Sequence, residues 1–195
     1  VAAGLNFTVF LSRQGHVYTC GINTHGQLGH GDTQDRPTPK MIEVLSSVVQ
    51  IAAGPSYILS VSENGTLYSF GSGANFCLGH GEQHNELQPR AIQKFRRKGI
   101  HIVRVSAGDE HAVALDSNGF VSFIEQNIFP NSNFICYHWF GLFKGLLDLL
   151  FTILLLMIQV YTWGKGYCGA LGHGDEIEKT TPELLTCLKN QLAVQ

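Results

Sequence analysis

One stretch of this chain occurs three times, and that recurrence limits the fold more than any other feature. VAAGLNFTVFLSRQGHVYTCGINTHGQLGHGD opens the chain and returns from Ile51 as IAAGPSYILSVSENGTLYSFGSGANFCLGHGE. It returns again, interrupted, as VSAGDEHAVALDSNGF and then VYTWGKGYCGALGHGD. Gly4 to Gly54 is 50 residues and Gly54 to Gly108 is 54, while Gly4–Gly15, Gly54–Gly65 and Gly108–Gly119 are each 11 apart. A unit of this length cannot bury its own apolar face, so the copies must stack on one another.

Each unit reads as strands. FTVFLS, YILSVS and AVALDS are short runs rich in β-branched and aromatic residues, which suit a pleated, half-buried surface. Gln14-Gly15, Asn64-Gly65 and Asn118-Gly119 supply tight turns, because Asn and Gly tolerate positive φ. The return strands are HVYTCG, TLYSFG and VYTWG, followed by a Gly-rich connection ending in LGHG and a Pro-bearing segment, TPKMIEV, QPRAIQK or TPELLTC. With an inner strand before each A-A-G or S-A-G triplet, every unit holds about four strands, the pattern of a propeller blade. The expected fold class is all-β, with β-propeller blades of four antiparallel strands in an incomplete ring of about three blades. Exposed strand edges at both ends of such an arc predict self-association of a fragment.

Gly21-Ile22-Asn23-Thr24-His25-Gly26-Gln27-Leu28-Gly29-His30-Gly31, together with the A-G turn, resembles the repeat of the regulator of chromosome condensation family. The resemblance covers nearly the whole chain and implies a seven-bladed propeller. It also implies two functions: a platform for protein–protein recognition, or exchange of guanine nucleotide on a small GTPase. The light-sensing branch of the family relies on tryptophan clusters. The A-G loops here carry no Trp, and of the two tryptophans only Trp163 lies within a repeat.

The third unit is longer than the others. Gly15–Gly29 and Gly65–Gly79 are both 14 residues, but Gly119–Gly172 is 53, a surplus of 39. Residues 1–120 therefore hold two repeats and the start of a third, 121–159 an apolar insertion, and 160–195 the rest of the third repeat. The insertion has three charged residues, Glu125, Lys144 and Asp148. Its longest apolar run, Leu149–Ile158 apart from Thr152, falls short of the roughly 20 residues of a membrane span. A partner-covered helix would need a cover for an all-round apolar surface. The preferred explanation is an intron translated in frame: Val codons begin GT, one Gln codon ends AG, and removal joins Phe120 to Val160 to restore NGFVYTWG. Entering after the turn, the block is expected to break the ladder of the return strand.

Composition excludes further classes. With 44% hydrophobic and 14% charged residues and a net charge of -2, the chain is neither disordered nor a globally basic nucleic-acid binder. Five widely spaced cysteines without a C-x-x-C pair read as reduced, mostly buried thiols of a cytoplasmic or nuclear protein. Gly164–Gly169 matches G-x-G-x-x-G but lacks the following helix and acidic residue of a dinucleotide site. Cys77, His80 and His84 mimic half a zinc site, yet the set does not recur and lacks a fourth ligand. The LGHG histidines are expected to hydrogen-bond backbone at turns. No catalytic residue, metal, cofactor or small-molecule substrate is expected.

Two stretches remain as candidates for touching a partner. Asp109, Glu110 and His111 follow the A-G turn of the third unit, although hydrogen bonding between blades is the preferred role there. Lys94, Arg96, Arg97 and Lys98 form a basic run in the loop between units two and three, suited to an acidic surface. The expected partners are proteins, among them a small GTPase or a chromatin component, bound across loops on one face. A membrane is not expected.

Overall fold

The computed structural model describes residues 1–116 and 159–186. Among the described residues, twelve strands form three four-stranded antiparallel sheets in an open arc. Blade one contains β1 (Ala2–Ala3), β2 (Phe7–Leu11), β3 (Val17–Gly21) and β4 (Arg36–Met41). Blade two contains β5 (Val48–Ala53), β6 (Tyr57–Ser62), β7 (Leu67–Gly71) and β8 (Glu86–Ala91), and blade three β9 (Ile102–Ala107), β10 (His111–Asp116), β11 (Val160–Gly164) and β12 (Lys179–Leu184). Strand order follows the chain within every sheet.

The register repeats as closely as the sequence. The second and third strands of each blade pair from Phe7↔Gly21 to Leu11↔Val17, from Tyr57↔Gly71 to Val61↔Leu67, and from His111↔Gly164 to Leu115↔Val160. Each third strand then bulges against the fourth just before its terminal glycine. Gly21, Gly71 and Gly164 adopt φ of 113°, 104° and 100° there. A Cβ would lie 2.4 Å from the Asn6 carbonyl oxygen, 2.5 Å from that of Ser56 or 2.4 Å from that of Glu110. Only glycine satisfies both the backbone angle and that close approach.

The expected break in the third ladder does not occur. All five pairs between β10 and β11 form, because the block ends where β11 begins rather than inside it. Residues 117–158, and with them nearly all of the apolar insertion, lie outside the described residues. Among the described residues no helix is long and apolar enough to cross a membrane.

The core lies between blades. One cluster joins blades one and two through Val9, Leu28, Ile42, Ile58 and Phe70; the other joins blades two and three through Leu59, Leu78, Phe95, Ile102 and Trp163. Position in the arc decides burial. Every residue of β6 is buried, whereas β2 and β10 alternate with half-buried positions. The middle blade is covered on both faces, and the outer two on one.

Candidate functional site

The loops fall into two groups at opposite ends of the strands. The first-to-second strand turns and the long LGHG loops share one end, linked by hydrogen bonds from the Ile22 N–H to the Asn6 carbonyl and from the Lys165 N–H to the Glu110 carbonyl. The hairpin tips and the connections between blades share the other, where the Val48 and Ile102 N–H groups donate to the carbonyls of Gly15 and Gly65. We call these the loop face and the tip face.

The two candidate stretches therefore do not act together. Asp109–His111 follows the C-terminal end of β9 and lies on the loop face, while Lys94–Lys98 precedes its N-terminal end on the tip face. Six residues of strand separate them, roughly 20 Å at about 3.3 Å per residue. A single partner laid across one face cannot touch both.

The basic run is also not a loop. Gln93–Arg97 forms a short helix, α1, with Phe95 buried beneath it and the Tyr161 ring 5.1 Å away, edge to face. Lys94 donates to the Thr181 hydroxyl at 3.1 Å, tying blade two to blade three. Arg96, Arg97 and Lys98 are exposed and take part in none of the ion pairs among the described residues. Arg90 is held by Glu82 and Glu86 instead. A cleft of about 230 Å³ separates α1 from the Asn64–Thr66 hairpin tip, with Arg96 and His101 on its walls.

On the loop face, Asp109 is exposed, whereas Glu110 is engaged in the joint with blade two. Its carboxylate pairs with Lys165 Nζ at 3.0 Å and accepts from Asn75 Nδ2 at 3.0 Å. The His111 ring packs over Gly108, as Phe7 and Tyr57 pack over Gly4 and Gly54. Besides the Asn75–Glu110 bond, Tyr57 links the two blades: its hydroxyl lies 2.7 Å from the His111 carbonyl and 3.0 Å from that of Gly108. Burial raises the Tyr57 pKa and keeps the hydroxyl a donor. Gln50 adds a second clasp, giving and taking hydrogen bonds with the Val105 backbone at 3.1 and 3.0 Å.

The three LGHG histidines share one arrangement, and it is not the expected bond to backbone. His30, His80 and His173 each place Nε2 near a hydroxyl on the return strand: Thr19 at 3.1 Å, Ser69 at 2.9 Å and Thr162 at 2.9 Å. Those hydroxyls spend their only proton on the carbonyls of Leu28, Leu78 and Leu171, at 2.7, 2.8 and 2.9 Å. The imidazole must then be the donor at Nε2, which fixes the neutral tautomer. Burial, seconded by Arg36 for His30 and Arg90 for His80, lowers both pKa values to about 4. These groups hold turns closed.

The remaining motifs resolve as structure. His84 is exposed beside Glu82, His80 is bonded to Ser69, and burial, with the charge of Glu110 second, pushes the Cys77 thiol up to about 12. Among the described residues no three or more His, Cys, Asp or Glu side chains come together as a metal site would require. Gly164–Gly169 ends in a 3-10 turn, Tyr167–Gly169, not a helix that could receive phosphate. Of the described cysteines Cys77 is buried, Cys20 half-buried and Cys168 exposed, so the expectation of mostly buried thiols holds for one of the three.

A family model of the Regulator of chromosome condensation (RCC1) repeat matches residues 14–61, 64–115 and 159–195. The chain belongs to this repeat family. Its RCC1 repeats are 40% identical, over 209 aligned residues, to the rat protein named "Probable E3 ubiquitin-protein ligase HERC4" (Rattus norvegicus), covering all of this chain and 20% of the relative. Human E3 ubiquitin-protein ligase HERC2 (Homo sapiens) is 27% identical over 196 residues, again all of this chain but 3% of its own length. The chain thus spans about a fifth or less of these relatives. Among solved structures, Prp20p of Saccharomyces cerevisiae, described with its binding to Gsp1p and histones, superposes with a TM-score of 0.64. That match covers 94% of this chain and 37% of Prp20p at 23% identity, a likeness of fold.

Proposed function

We propose that this RCC1-repeat segment is a protein-docking module of the cytoplasm or nucleus, without catalytic chemistry of its own. One observation carries the proposal: the LGHG histidines and their Thr or Ser partners recur in the same structural bonds in all three blades. What differs between blades is what the loops expose. Asp109, Glu110 and His111 on the loop face, and Lys94, Arg96, Arg97 and Lys98 on the tip face, are two separate contact surfaces in this proposal. The relatives named as E3 ligases make a recognition role within a larger protein a natural context. The test uses purified chain with Gsp1p carrying fluorescent GDP, and with ubiquitin charged on a conjugating enzyme. Neither GDP release nor ubiquitin transfer should speed up. Acceleration of GDP release would replace docking with nucleotide exchange, and a ubiquitin thioester on the chain would make it an enzyme.

A further inference from the structure

Comparison of equivalent positions singles out one part of the loop face. Three residues after the bulge glycine stand Thr24, Ala74 and Tyr167; two residues before the fourth strand stand Gln34, His84 and Ile177. All six are exposed. In blades one and two these positions are exposed although a neighbouring blade packs on the side toward the next repeat. Only blade three places large apolar residues there, with Tyr167 70% and Ile177 63% exposed.

The two belong to one surface. Gly166, next to Tyr167, lies so close to the Ile177 backbone that a Cβ would stand 2.5 Å from its carbonyl oxygen. The Lys165 N–H donates to the Glu110 carbonyl at 2.8 Å and its Nζ pairs with the Glu110 carboxylate, which brings the Asp109 turn alongside. Around the apolar pair, Asp109, Glu176 and Glu178 are exposed and in no ion pair among the described residues, while Lys165 and Lys179 are taken by Glu110 and Asp175. An apolar centre with an acidic rim selects a partner of complementary kind.

We infer that the Tyr167–Ile177 surface of blade three docks a peptide segment bearing an apolar side chain flanked by lysine or arginine. The inference rests on the docking function proposed above and gives that function a partner chemistry. The apolar side chain gains by covering Tyr167 and Ile177, and the flanking cations meet Asp109, Glu176 and Glu178. The carboxylates steer encounter and exclude acidic segments, while the apolar contact holds the complex.

The probe is a pair of short fluorescein-labelled peptides with the same Leu-Phe core, one flanked by lysines and the other by glutamates, titrated with the full chain by anisotropy. The lysine peptide should bind at least about tenfold more tightly, and its affinity should fall as salt rises. Tyr167→Thr with Ile177→Gln, the residues of blade one, should weaken it about tenfold or more. Glu176→Lys with Glu178→Lys should abolish the preference for lysine. Arg13→Gln, in the blade-one hairpin on the tip face, should leave binding unchanged. Blade one carries Thr24 and Gln34 at these positions, so the first pair keeps the fold; Ile177→His, taken from blade two, is the second variant, and thermal melts check both. Equal affinity for the two peptides, or a Tyr167→Thr/Ile177→Gln chain that binds like the parent, overturns the inference and leaves the docking function standing. Acceleration of GDP release alongside intact lysine-peptide preference overturns docking alone and leaves the surface assigned.

Discussion

Trp163 gives the sharpest test of how these blades hold together. Its side chain is fully buried, its indole N–H donates to the Cys77 carbonyl of blade two at 2.8 Å, and its ring meets Phe95 edge to face at 6.1 Å. It fills a slot over the LGHG turn of blade two, where a Cβ on Gly79 would come within 2.9 Å of Nε1. Phe70 fills the same slot over Gly29 of blade one, with a Cβ there 2.7 Å from its ring. Trp163→Ala removes the ring and leaves a cavity, at a cost of about 3–5 kcal/mol. Trp163→Phe keeps the plug that blade two already uses and loses one buried hydrogen bond, costing about 1–3 kcal/mol. At about 2–4 °C per kcal/mol for a chain of this size, the alanine variant should melt roughly 6–20 °C lower and the phenylalanine variant about half as far. Urea titration followed by far-UV circular dichroism measures both without relying on tryptophan emission. An alanine variant costing under about 1 kcal/mol would show that the slot does not hold the joint. Equal cost for the two variants would assign the stability to the hydrogen bond and not to packing.

Three further outcomes follow from the same joints. His30 and His80 have folded pKa values near 4, below the ordinary 6.5, so the unfolded chain takes up protons first. Their contribution is full above pH 6.5 and lost as pH falls toward 4; discounted for the solvent that reaches both rings, it is about 1 kcal/mol each, read as the midpoint of urea unfolding against pH. A midpoint independent of pH over that window would refute the neutral-donor assignment. The Ser60 hydroxyl is buried without a hydrogen-bond partner, so Ser60→Ala should be neutral or stabilising in the same titration, and destabilisation beyond about 1 kcal/mol would reveal a bond that the structure does not contain. Deleting Val121–Gln159 joins Phe120 to Val160, where Phe120 would take the place His16 holds opposite Ser12 in blade one. The deleted chain should melt at or above the parent, and failure to fold would make the insertion a structural part of blade three.

Much of this fold was legible because each unit repeats the constraint on every other. Asn-Gly or Gln-Gly turns and the β-branched and aromatic runs of FTVFLS and its counterparts placed the strands from sequence, while the register and the bulge glycines came with the structure. The hydroxyl at Thr19, Ser69 and Thr162 was equally visible as a recurrent Thr/Ser in the return strand, and it is the partner the LGHG histidines use. Helix α1 was not legible. Ile92 at its N-cap makes no side-chain capping bond, and its sequence reads as a basic run. What forms it is Phe95 packing against Tyr161 and Trp163, residues that lie beyond the insertion in sequence. A tertiary contact overrode a local pattern, as it commonly does for short helices.

The opposite placement of the two candidate stretches follows from strand geometry. A six-residue strand carries its N-terminal and C-terminal neighbours to opposite faces, so Lys94–Lys98 and Asp109–His111 were separated as soon as β9 lay between them. In a repeat protein, recurrence answers what a residue does for the blade, and departure from it shows where a blade is free to differ. His111, Glu110 and the LGHG histidines attract attention by their chemistry, yet their contacts are those of joints and turns. Tyr167 and Ile177 carry no chemistry that a motif search would flag. They stand where the other two blades expose Thr24 and Gln34, or Ala74 and His84, none of them a large apolar side chain. Exposed apolar area without a packing role is a cost that a partner can remove, and on that ground the loop face of blade three is the stronger place to look for recognition.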